Sequence, residues 1–131
     1  MRRIIWVGQS KLVEEIMMGC VQGIADYDFA PDVARAKEMI DSGEYVGMYM
    51  GSLRICRGET EEPIPRITQT DWDGGLHLVG YAARKGLPVL VVTSASERTR
   101  QIARDFKADV WKKPVDGRVI AALIGTWRES A

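Results

Sequence analysis

The sequence predicts an α/β fold, a doubly wound five-stranded parallel sheet with helices on both faces. Two observations carry this. Short apolar, β-branched runs alternate with longer stretches of helical periodicity along all 131 residues. The clearest runs, such as Val89-Leu90-Val91-Val92, are apolar throughout, as strands buried on both faces are.

The first run, Arg3-Ile4-Ile5-Trp6-Val7, ends at Gly8 and reads as a buried parallel strand. Ser10 is placed to cap a helix whose stripe is Leu12, Val13, Ile16, Met17, Cys20, Val21 and Ile24. Tyr27 to Ala30 is a weaker second strand. Pro31 suits the first position of the next helix, where its missing N–H goes unnoticed. Val33, Ala36, Met39 and Ile40 face inward there, and Gly43 stops the helix. Tyr45 to Met50 is the third strand.

The stretch from about 51 to 70 is long for a βα connection and reads as an extended loop or a small hairpin. A helix starting near Asp73 turns Leu76, Val79 and Ala83 inward and stops at Gly86. Pro88 to Thr93 is the clearest strand. Ser94 with Glu97 has the form of a capping box, and Ile102, Ala103 and Phe106 face the core behind it. Val110 to Lys112 is a short last strand. Asp116 caps a final helix with the stripe Val119, Ile120, Leu123, Ile124 and Trp127. Five βα units in a chain this size fit the flavodoxin-like order 2-1-3-4-5, with a crevice at the carboxyl ends of the first and third strands. Residues 1–131 form a single domain without internal repeats.

Composition excludes several functions. Hydrophobic residues make up 46% of the chain, enough for a core without disulfide staples. Net formal charge is zero, which argues against a nucleic-acid partner or an acidic membrane surface. No apolar run approaches a membrane span or a secretory leader, so the expected location is the cytoplasm. Cys20 and Cys56 form no CxxC or Cys/His pattern; Cys20 reads as a small core residue, and for Cys56 a plain structural reading is favoured over a surface thiol.

One string is more specific. Gly86-Leu87-Pro88-Val89-Leu90-Val91-Val92-Thr93-Ser94-Ala95 is followed, after a helical stretch, by Ala108-Asp109-Val110-Trp111-Lys112-Lys113-Pro114. It closely resembles the last third of a response-regulator receiver (CheY-like) domain. The resemblance implies that Thr93 and Lys113 stand where a receiver grips a phosphoryl oxygen, with Pro114 after the lysine. It also implies two acids after the first strand and a phospho-acceptor aspartate after the third. Gly8 and Gln9 occupy the first place and Met50 the second. Magnesium wants several hard oxygen ligands, and a thioether is neither such a ligand nor a nucleophile toward phosphorus. The family's switch aromatic falls at Val110, with Trp111 beside it. The resemblance therefore implies a degenerate form, a pseudo-receiver with no catalytic residue, metal or cofactor.

Other chemistry-bearing residues have plainer readings. Asp26 and Asp28 flank an edge strand and read as turn and cap residues. Asp73 reads as a helix cap. His77 has no second histidine to make a metal site. Met48 and Met50 read as core filler, and Gly74-Gly75 belongs to no nucleotide-binding pattern. Arg98, Arg100 and Arg104 share a helix with Glu97 and Asp105 as a solvated face.

Three functions stay open at this point. The first is a non-enzymatic signalling module that binds a protein partner (a histidine kinase, regulator or effector) through the face of the fourth helix, fifth strand and fifth helix, with Arg98, Arg100, Trp111 and Trp127 as anchors. A homodimer is allowed. The second is a two-component receiver phosphorylated at a displaced carboxylate such as Asp71 or Asp73. The third is a sensor of an anion or small neutral redox ligand, held in the crevice of Gly8, Gln9, Met50, Thr93 and Lys113.

Overall fold

The computed structural model describes residues 3–7, 19, 23–51, 53, 73–113 and 115–127, with the backbone alone at 73 and 74. Strands β1 (Arg3–Val7), β2 (Asp26–Ala30), β3 (Gly47–Met50), β4 (Val89–Thr93) and β5 (Asp109–Lys112) form one parallel sheet. Their order is β2-β1-β3-β4-β5, as the sequence predicts. Four described helices cover it: α1 (Val33–Ser42), α2 (Asp73–Arg84), α3 (Glu97–Asp105) and α4 (Gly117–Ile124). The helix expected between the first two strands and the segment 54–70 lie outside the described residues, as do Cys20, Cys56 and Asp71.

Strand alternation divides the core into two layers. Ile5, Val7, Met48, Met50, Val89 and Val91 face α1, α2 and α3, and meet Val33, Ala36, Leu76, Val79, Ala82 and Ala103. Ile4, Trp6, Tyr49, Leu90 and Val92 face the other way, toward Ile120, Ala121, Ile124 and Trp127. The Trp6 and Tyr49 rings lie with centroids 4.0 Å apart. Such a pair contributes about 0.5–1.5 kcal/mol beyond the area it buries. Gly47 sits under Trp127, whose ring occupies the space a Cβ would need.

Several local expectations are corrected. Pro31 is not the first residue of α1: it precedes the cap. The cap is Asp32, whose Oδ1 accepts from the Arg35 N–H at 2.7 Å. A carboxylate satisfies an orphan donor of the first turn, which a proline ring cannot do. Gly43 does end α1, at φ 73°, with its N–H donating to Ile40. The serine that caps α3 is Ser96, not Ser94, with its Oγ accepting from Thr99 N at 3.3 Å. Glu97 is thus the first residue of α3, too early for the reciprocal half of a capping box. In α2 the inward residue is Ala82 and not Ala83. In α4 Asp116 caps as expected, its Oδ1 accepting from Arg118 N at 2.8 Å. Val119 is exposed, and Ala121 takes the buried place on that helix.

Asp28 does more than turn chemistry. Its Oδ2 accepts from the Arg3 guanidinium at 2.5 Å and from the Tyr45 hydroxyl at 2.6 Å. The three side chains tie the edge strand β2 to β1 and to the approach of β3. Burial, and then the hydrogen bond and charge of Asp28, push the Tyr45 phenol up to about 12. An unfolded tyrosine titrates near pH 10, so the folded chain holds this proton more tightly. The contribution is complete below pH ~10 and is lost as pH rises toward about 12. Urea midpoints measured up an alkaline series should fall across that window, and Tyr45→Phe should flatten the fall.

Candidate functional site

The parallel register brings the carboxyl ends of four strands to one rim. Met50, the last residue of β3, pairs with Val7 of β1 on one side and Val91 of β4 on the other. The Gly51 N–H donates to Val7 O at 3.1 Å and carries the chain past that rim. Thr93 ends β4 opposite Lys112, and the Lys113 N–H donates to Thr93 O at 2.9 Å. Met50, Thr93 and Lys113 therefore stand on adjoining strand ends. Gly8, Gln9 and Pro114 lie outside the described residues.

Each of the three contributes something different. Met50 is fully buried and packs in the layer of Ile5, Val7, Met48 and Leu53. Apolar side chains thus fill this strand end from the α2 side. Thr93 is the one buried polar residue among those described. Its Oγ1 accepts from the Ala95 N–H at 3.1 Å, which fixes the β4–α3 turn and leaves the hydroxyl proton to donate elsewhere. Lys113 is exposed and has no ion pair among the described residues. No group of three His, Cys, Asp or Glu among the described residues is placed to hold a metal ion.

Leu53 completes the wall and is missed by pattern reading. It is fully buried although it lies in the connection after β3. The first turn of α2 rests directly on its backbone: a Cβ on Gly75 would meet the Leu53 carbonyl oxygen at 2.2 Å. Only glycine permits that approach, which gives Gly75 a packing role. The one signal in the sequence was a Gly-Gly pair at a helix start, where a side chain is ordinarily better.

The proposed anchors separate. Arg98 and Trp111 are exposed. Arg100 is turned inward, its side chain 13% exposed and paired with Glu97 at 2.7 Å. Glu97 also takes Arg104 at 2.9 Å, so part of the solvated face is a small ionic cluster. Trp127 is a correction: it is 5% exposed and lies against Gly47, so it is a core residue and no surface anchor. Val110 is half-buried in the core layer of α3. His77 has Lys37 Nζ at 3.2 Å from its Nε2, a neighbour the sequence did not suggest.

Comparison with solved structures decides the fold. The chain superposes on the receiver domain of HemR from Leptospira biflexa with TM-score 0.73 and 16% identity, covering 100% of this chain and 99% of that one. It matches a CheY-like receiver domain from Methanospirillum hungatei with TM-score 0.70 and 18% identity over 95% and 90% of the two chains. The chain has the receiver fold. A response regulator from Burkholderia pseudomallei, solved with a phosphorylated aspartic acid, calcium and citrate, aligns with TM-score 0.71 and 16% identity over 96% and 68%. No protein-family model and no curated protein matches the sequence. Within the receiver fold the rim described above lies where the sheet order reverses, the position at which such sheets take their ligands. No described helix is long and apolar enough to cross a membrane.

Proposed function

We propose that this chain is a signalling module of the receiver type that acts by contact with a protein partner and takes no phosphoryl group at the usual aspartate position. The observation that carries this is Met50. It ends β3 between Val7 and Val91 and is wholly buried. A buried thioether cannot accept a phosphoryl group, and Gly8 and Gln9 offer no carboxylate to magnesium. The Burkholderia pseudomallei regulator holds its phosphoryl group on an aspartic acid. Here the scaffold persists while Gly8, Gln9 and Met50 hold no carboxylate. Exposed Arg98 and Trp111 supply the partner-facing side chains.

The test is incubation with acetyl phosphate and Mg²⁺, read by intact mass. The expected result is an unchanged mass. A hydroxylamine-sensitive acyl phosphate would overturn the proposal, and its site would show whether a displaced acid such as Asp71 or Asp73 receives it. A second reading, an anion bound without covalent transfer, is favoured by Lys113, which is exposed with no ion pair among the described residues and follows the strand end whose backbone meets Thr93. Thermal stabilisation by inorganic phosphate alone, lost in Lys113→Ala, reads that alternative.

A further inference from the structure

Helices α1 and α2 meet through a polar seam on the outer side of the core. Lys37 of α1 has its Nζ 3.2 Å from His77 Nε2 of α2. Four residues further along both helices, the Tyr81 hydroxyl donates to Asp41 Oδ1 at 2.5 Å. The two helices therefore run parallel, and matching side chains form successive rungs. Beneath the seam, Val33 and Ala36 share a core layer with Leu76 and Val79. Lys37, His77 and Tyr81 are half-buried, so water and salt screen these contacts less than those of an open surface.

The rung of Lys37 and His77 allows one protonation pattern. An ammonium group carries donors and no acceptor, so the Lys37 N–H donates and His77 Nε2 accepts. An imidazolium holds a proton on both nitrogens and cannot accept. The contact thus requires neutral His77. The next rung adds positive charge. Lys37 Nζ lies 4.7 Å, Lys85 Nζ 5.5 Å and the Arg84 guanidinium 5.9 Å from the Tyr81 ring centroid. The acids of α1 face other groups: Asp41 accepts from Tyr81 and pairs with Lys85 at 3.6 Å, and Glu38 pairs with Arg35 at 3.0 Å. Asp73, at the start of α2 one turn before His77, is the one acid in that helix.

We propose that the Lys37–His77 contact is a proton-sensitive latch between α1 and α2, closed while His77 is neutral and opened when it takes up a proton. Protonation turns a hydrogen bond into a contact of two like charges, and the side chains must part. The apolar residues beneath keep the helices packed, so the opening stays in the outer seam. The folded chain therefore resists a proton that the unfolded chain accepts. Stability should fall as pH drops through the range where an unfolded histidine titrates, and level off once the folded form is protonated as well. The latch goes beyond the signalling reading and is independent of phosphorylation at any residue.

His77 is the only histidine in the sequence, so its imidazole NMR signal needs no assignment. Titrating that signal in the folded chain, and again in denaturing urea, compares the two states directly. The folded midpoint should lie lower by about one pH unit, a roughly tenfold loss of proton affinity. Lys37→Met keeps the apolar stem and removes the charge, and should bring the folded midpoint back toward the unfolded one. A second measurement reads the coupling to the fold. Between about pH 8 and pH 5, urea midpoints of the wild type should fall further than those of His77→Gln, whose side-chain carbonyl can accept from Lys37 but takes up no proton. Three results would overturn the latch: a folded midpoint at or above the unfolded one, a Lys37→Met midpoint equal to that of the wild type, which would make burial alone the cause, or equal falls in the wild type and His77→Gln.

Discussion

The Gly47→Ala variant is expected to lose about 3 kcal/mol of stability, the cost of expelling a core tryptophan. The sign is set by the ring. Adding a methyl to a glycine at an unstrained position ordinarily stabilises by about 0.4–1 kcal/mol, through the unfolded chain. At Gly47 that methyl would lie 2.3 Å from Trp127 Cε3 and 2.6 Å from Cδ2, far inside contact distance. The strand cannot retreat, because Gly47 pairs with Ile4 and its neighbour Met48 with Val89. Trp127 lies just beyond the end of α4 and is the part able to yield. Urea denaturation measures the loss. Trp127→Ala alone should cost a similar amount, and the two changes together far less than their sum, because one ring is lost only once. Additive losses would mean that Gly47 acts by another route.

Met50→Asp, which puts a carboxyl group at the end of β3 where the proposed function finds no acceptor, should also weaken the fold, by on the order of 3 kcal/mol. It removes a fully buried side chain from the layer of Val7, Met48 and Leu53 and places a carboxyl group among them. Desolvation would raise that carboxyl's folded pKa above its unfolded value, so the folded variant would bind the proton more tightly. Its deficit relative to wild type should therefore shrink as pH is lowered and be largest at neutral pH. Acetyl phosphate should still leave its mass unchanged, since Gly8 and Gln9 supply no carboxylate to a metal ion. A variant as stable as wild type that gains an acyl phosphate would show that the rim needs only an acceptor.

Much of the fold could be read from residue order because local and global signals agree. Val89 to Val92 is apolar at every position, and β4 is buried throughout. Asp116 and Gly43 hold the cap positions their chemistry favours. Errors arose where two residues competed for one local task. Pro31 and Asp32 both suit a helix start, and the side chain that can accept a hydrogen bond won. Ser94 and Ser96 posed the same choice. Trp127 fits both a helical stripe and a surface anchor, and only the gap above Gly47 decides between them. The rim was legible as a set of strand ends through Thr93 and Lys113. The inward turn of Arg100 and the close approach at Leu53 are tertiary facts that no spacing encodes.

The contact of Gly75 with the Leu53 backbone holds together the two ends of the connection between β3 and α2. Once its ends are fixed, the entropy of such a segment depends only logarithmically on length, about 0.6 kcal/mol for each doubling. Lengthening or rewriting the intervening residues would hardly tax the sheet. The scaffold could thus acquire new binding preferences in that span by insertion and deletion, while the strand ends keep their spacing.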